Sequence, residues 1–202
     1  MRVLLTGFEP FPGVTVNPSG EAVARIAASR GMEPRLAAWV LPVLWDRTWT
    51  TFEDRLAASG FEPDVIIHVG VSRTADAVTY ERFALNWRKG MDAGDVTTTE
   101  GPILDGAPHA RMATLDLSRV LGALETTDRP AVTSCHAGTY LCNALLYRSL
   151  HAQAIGARVA DVGFLHVPPL PAEGDPAPAL DRLTTELTAI VDAFLAAPSV
   201  GT

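Results

Sequence analysis

The sequence predicts an α/β fold, an open, twisted, mostly parallel sheet sandwiched between helices in three layers, as a single domain over residues 1–202. Three observations predict it. Short apolar runs alternate along the chain with stretches whose apolar residues recur at spacings of three and four. The runs show little polar alternation, as expected of strands covered on both faces. The helical stretches carry their own start and stop residues.

Val3 to Thr6 reads as the first buried strand, followed by a Gly/Pro loop from Gly7 to Val16. A helix follows, capped by Asn17, with Pro18 in the first turn, where its missing N–H costs nothing, and Gly31 at the end. Leu36 to Val43 is a second strand, and Trp45, Trp49, Phe52 and Leu56 form the apolar stripe of a second helix that Gly60 stops. Val65 to Val71 is the third strand. Ser72 to Pro108 shows no regular period. Alternation then resumes with a helix near Leu115 to Leu124, a strand from Ala131 to Ser134, a helix beginning near Tyr140, and a strand from Val159 to Val167 expected to break around Gly163. Leu180, Leu183, Leu187, Ile190, Val191 and Phe194 give the last helix a continuous apolar face, after a surface loop from Pro168 to Pro178.

Composition limits the function. Of 202 residues 48% are hydrophobic, enough for one sizeable core, and the net charge of -7 argues against a phosphate-binding surface and so against nucleic acid. The opening apolar run is interrupted by Gly7, Glu9 and Pro10, so it does not form a signal-peptide core, and no run nears the roughly 20 residues that span a bilayer. A soluble protein is expected, with no membrane partner. Two cysteines, Cys135 and Cys142, are too few for a disulfide framework and fit a reducing cytoplasm.

In open α/β sheets ligands bind at the carboxyl ends of the strands. Two segments place reactive residues there. In AVTSCHAGTYLCNALLYRSL, Cys142 falls in the first turn of a helix, where free N–H groups and the helix dipole favour thiolate and can hold an oxyanion. In GFLHVPPLP, His166 ends a strand on the same rim and has the chemistry to move a proton to or from the thiol and a leaving amine. On spacing alone, Cys142 stands equally as a small core residue, and for His166 the structural reading outweighs the catalytic one. Cys135 lacks the helix-start position, and zinc held by Cys135, His136, Cys142 and His166 would need an unusual C-x6-C spacing. His68, His109 and His151 read as structural or solvated.

At these residues the chain resembles the pyroglutamyl peptidase I (pyrrolidone carboxyl peptidase) family of cysteine peptidases. TGFEPFPGVTVNPS resembles its opening loop, HVGVS its central strand, YERFALN its acid motif, AGTYLCN its nucleophile motif and GFLHVPPLP its histidine motif, in that order over nearly the whole chain. The resemblance implies Cys142 as nucleophile, His166 as base and Glu81 as the orienting acid. It further implies an apolar slot for the neutral, flat lactam from Phe8, Phe11, Tyr140 and Leu141, peptides with an N-terminal pyroglutamate as substrates, no cofactor, and a homotetramer. The chain departs from many bacterial members by reading HVGVSRTADAV, with Val71 where they carry a Gln-containing segment, and by lacking a secure counterpart of the arginine after the acid motif, near Arg88 and Lys89. Those departures keep two other readings open: a catalytically silent module that binds pyroglutamyl termini, and another cysteine hydrolase of small amides.

Overall fold

The computed structural model describes residues 1–31, 33–127 and 132–198. Its element order is β1 Val3–Phe8, α1 Pro18–Arg30, β2 Leu36–Leu41, α2 Thr48–Ser59, β3 Val65–Val71, β4 Thr79–Glu81, β5 Phe83–Leu85, β6 Ala110–Met112, α3 Leu117–Glu125, β7 Val132–Ser134, α4 Leu141–Ala154, β8 Asp161–Val167 and α5 Ala177–Leu195. The six-stranded sheet has the order β2-β1-β3-β8-β4-β7, and every pairing is parallel except β4 with β8. β5 and β6 form a separate antiparallel pair.

Strand alternation divides the core into two layers. Val3, Leu5, Val65, Ile67, Val69, Leu165 and Val167 face one way, against α1, α3 and α5. Leu4, Ile66, Val162 and Phe164 face the other, against Phe52 of α2 and the buried side of α4. All of these side chains are fully buried. The three-layer α/β expectation therefore holds, and within one helix layer α5 packs on α1.

Local chemistry accounts for the boundaries. Asn17 Oδ1 accepts from Ser19 N at 3.2 Å, Pro18 opens α1, and Gly31 closes it with φ 56°. Gly7 and Gly20 let strand and helix touch: a Cβ on Gly20 would lie 2.2 Å from Phe8 O, and one on Gly7 2.5 Å from Ser19 O.

Several expectations change. Trp45 lies before α2 rather than on it, and its indole N–H donates to Gly90 O at 3.0 Å. β8 begins at Asp161 and runs unbroken through Gly163, whose missing side chain makes room for Leu115 Cβ, 2.5 Å from where a Cβ would stand. The segment from Ser72 to Pro108 contains β4 and β5. Ala131, expected to open β7, lies outside the described residues.

Candidate active site

The site assembles where β3, β8 and β4 end near the start of α4. β3 and β8 run in register, with His68 opposite Phe164 and Gly70 opposite His166. On the other side of β8, the antiparallel β4 places Thr79 opposite His166. Side chains alternate along a strand, so Glu81 shares the face of Thr79 and lies diagonal to His166, within reach of a long side chain. His166 Nδ1 donates to Glu81 Oε1 at 2.6 Å.

That pair is nearly enclosed. The side chains of Glu81 and His166 are 4% and 11% exposed, and Glu81 Oε2 is buried with no protein hydrogen-bond partner. Burial alone pulls the His166 imidazolium down. Hydrogen bonding to Cys142 and Glu81 and the charges of both outweigh it, raising His166 to about 9. The imidazolium is therefore the form that the site holds near neutral pH.

Cys142 approaches from above the sheet as the second residue of α4. Its Sγ lies over the backbone of Gly70, where a Cβ would stand 2.9 Å away, and so beside the residue paired with His166. Cys142 and His166 interact, but the ring's hydrogen bond of standard geometry is the one to Glu81. Tyr140 takes the N-cap position without a side-chain cap, so the positive end of α4 is left open toward the sulfur.

Asn143, next to Cys142, is completely buried. Its Oδ1 accepts from Leu85 N at 2.7 Å, and its Nδ2 donates to Leu85 O and Trp87 O at 2.8 and 3.0 Å. It thereby acts as a neighbouring strand for β5 and ties the helix start to the segment that follows Glu81. Sequence reasoning missed this residue, although a polar side chain in the apolar face of a helix was a visible signal.

A cleft of about 630 Å3 opens over these groups, lined by Cys142, His166 and Glu81 together with Phe11, Val71 and Tyr140. Its far wall is a loop around Met91. The Tyr140 hydroxyl donates to Met91 O at 2.8 Å, and Asp92 holds the loop by accepting from Trp45 N, Gly94 N and Val96 N. Tyr140 is pushed up to about 12 by burial and by the charges of Asp92 and Cys142, so its hydroxyl stays protonated.

Of the eight residues singled out in the sequence, six line this cleft. Phe8 and Leu141 do not: both are buried, Phe8 at the end of β1 and Leu141 at the start of α4. Leu141 borders a separate small cavity with Trp45, Trp49 and Arg148. The zinc reading is not realised, since no group of three or more His, Cys, Asp or Glu among the described residues could hold a metal ion. Cys135 is exposed and outside the cleft lining.

The family model described as pyroglutamyl peptidase matches residues 1–197. A pyrrolidone-carboxylate peptidase of Pyrococcus furiosus is 35% identical over 179 residues, covering 86% of this chain and 83% of its own length. One from Clavibacter michiganensis is 35% identical over 206 residues, covering 96% of this chain and 92% of its own. Among solved structures, pyroglutamyl peptidase I from Bacillus amyloliquefaciens superposes with a TM-score of 0.85 at 28% identity, over 96% of this chain and 95% of that one.

Proposed function

Because the chain belongs to the pyroglutamyl peptidase family, cysteine peptidases that remove an N-terminal pyroglutamyl residue, we propose that Cys142, His166 and Glu81 carry that reaction here. The observation that carries the assignment is the buried 2.6 Å Glu81–His166 bond, with the Cys142 sulfur seated beside His166 on a glycine.

The chemistry follows from the groups present. Cys142 attacks the pyroglutamyl carbonyl carbon through its sulfur, with His166 beside it holding the proton. Negative charge that develops on the carbonyl oxygen is met by the uncapped first turn of α4. The tetrahedral intermediate collapses, the C–N bond breaks, and His166 donates its proton to the departing amine, leaving a thioester on Cys142. Neutral His166 then takes a proton from water, which attacks the thioester and releases pyroglutamate. Glu81 holds the ring so that Nε2 is the atom that exchanges protons with thiol, amine and water.

The lactam carries no charge, so its slot needs no carboxylate or metal for an amine. Phe11, Val71 and Tyr140 supply an apolar wall, and the lactam N–H and C=O take backbone partners in place of a side-chain amide at Val71. No helix among the described residues is long and apolar enough to cross a membrane, and the two free cysteines suit a cytoplasmic setting. Assembly as a homotetramer is part of the same proposal and rests on family membership alone.

The test is hydrolysis of a chromogenic pyroglutamyl amide by wild type, Cys142→Ser and Cys135→Ser. Only Cys142→Ser should lose activity. Equal loss in both variants would remove Cys142 from its role. Binding of the substrate without turnover by wild type would make the chain a silent recognition module.

A further inference from the structure

The side chain of His68 is completely buried in the sheet, yet both ring nitrogens are occupied. Nδ1 is hydrogen-bonded to Thr6 Oγ1 of β1 at 2.7 Å, and Nε2 to Ser149 Oγ of α4 at 3.0 Å. Thr6 and Ser149 are also fully buried. Burial, and secondarily the charge of Arg158, lowers His68 to about 3, so the ring is neutral and has one donor and one acceptor for its two hydroxyl partners.

The geometry of α4 makes this triad bear on the active site. Ser149 follows Cys142 by seven residues, two helical turns, so both project from the same face of α4 about 10 Å apart along its axis. Their partners are likewise on one face of β3: Ser149 meets His68, and the Cys142 sulfur meets Gly70, two residues further. The neighbouring strand β8 repeats the pattern, with Phe164 beside His68 and His166 beside Gly70. Rings connect the two ends, since Phe164 lies 6.3 Å from His68 and 4.9 Å from His166 between centroids.

Two points fix how a helix lies on a sheet. Over Gly70 the contact is a sulfur on a bare backbone, which has no directional preference and would tolerate sliding or rotation. Asn143 ties the start of α4 to β5, outside the six-stranded sheet; against that sheet itself the directional contact is the hydroxyl–imidazole–hydroxyl chain two turns away, which anchors α4 through β3 to β1. We propose that His68 is a positioning residue for the reaction, a buried strut that sets the register and rotation of α4 on the sheet and thereby the place of Cys142 Sγ against His166. This rests on Cys142 as nucleophile. Apolar packing and the Asn143 bonds to β5 would hold α4 without His68, but neither sets its position on the six-stranded sheet, where it could settle by fractions of an ångström, a scale on which reaction rates change severalfold.

The experiment compares wild type with Thr6→Val, Thr6→Ser, Ser149→Ala and Cys142→Ser. Thr6→Val keeps the side-chain volume and removes one hydroxyl, Ser149→Ala cuts the bond to the helix, and Thr6→Ser retains the bond. Thr6→Val and Ser149→Ala should lower kcat about fivefold or more while KM stays within about twofold, because ground-state binding in the cleft is untouched. Alkylation of Cys142 by iodoacetamide at a fixed, mildly acidic pH, followed by mass spectrometry of its peptide, should be slower in both. Thr6→Ser should behave as wild type on both measures. If the two disrupted variants melt at lower temperature yet keep kcat and the alkylation rate, the strut serves stability alone and the proposal fails. Should Ser149→Ala not fold, Thr6→Val decides. Cys142→Ser separates the two claims: activity surviving in that variant overturns the nucleophile itself, not the strut.

Discussion

Gly70 offers the most direct test of how the proposed nucleophile is seated, and Gly70→Ala is the perturbation. The added Cβ would stand 2.8 Å from Phe164 Cζ and 2.9 Å from Cys142 Sγ. Ordinary heavy-atom contacts lie at about 3.5–4.0 Å, so each neighbour must retreat by roughly 0.7–1 Å. Phe164 has no free space, and Cys142 can move only by shifting its sulfur within the cleft. Phe164 is fully buried and packs on the His166 ring at 4.9 Å, so its recoil moves the proposed base, while Cys142 is held in the first turn of α4 and its recoil moves the proposed nucleophile. Overpacking of this kind costs about 1–3 kcal/mol of stability. A misplacement near 1 Å between reacting groups costs about a hundredfold in rate. The expected outcome is a kcat/KM on a chromogenic pyroglutamyl amide lower by about 10² than wild type, in a protein that remains folded by circular dichroism. Gly122→Ala is the matched control, because a Cβ at that helical glycine meets nothing within 4 Å. A Gly70→Ala enzyme with kcat/KM within about threefold of wild type would refute the placement of the sulfur against this backbone.

The remaining predictions use other parts of the structure. Glu81→Gln should move the alkaline limb of kcat/KM, expected near pH 9 in wild type, to lower pH, because one of the charges holding His166 up is removed. The same shift has a sign in stability: the folded protein holds the His166 proton more tightly than the unfolded chain, so this contribution is full below about pH 6.5 and is lost as pH rises through about 9. Melting temperature measured from pH 6 to 10 should fall across that window in wild type and less in Glu81→Gln. Asn143→Leu leaves Leu85 N, Leu85 O and Trp87 O without their partner, at about 1–3 kcal/mol for each backbone group left unpaired, and urea denaturation should show a correspondingly lower midpoint. Gly122→Ala, besides serving as control, should raise stability by about 0.5–1 kcal/mol through helix propensity, as read from the same denaturation curves.

What could be read in advance divides along physical lines. The strand–helix framework was visible because its signals are local: Asn17 and Pro18 at one end of α1 and Gly31 at the other, the uninterrupted apolar run of β3, the stripe of α5. β4, β5 and β6 were invisible because each has three residues and exists only through a partner distant in sequence; β4 pairs with β8 across some 85 residues. Glu81 therefore had no local signature and was reached only through its motif. Trp45 misled because a spacing of four fits a helix, whereas its place is decided by the Gly90 carbonyl. Gly163 misled in the opposite sense, since a glycine that suggests a break serves here to admit Leu115. Phe8 and Phe11 look alike in the sequence, but the first ends a buried strand while the second has passed beyond the sheet edge into the cleft. His68 was legible as a structural histidine; only its two partners indicate what it is structural for.

The position of β8 between β3 and β4 has a consequence for the newly made protein. β2, β1 and β3 can pair once the first 71 residues are available, but β4 and β7 join the sheet only through β8, the last strand to leave the ribosome. That strand also brings His166. A chain still lacking it has no His166 to set beside Cys142, and carries Glu81 on a strand, β4, whose only partner made so far is β7. Completion of the sheet and assembly of the proposed Cys142, His166 and Glu81 site are thus the same event.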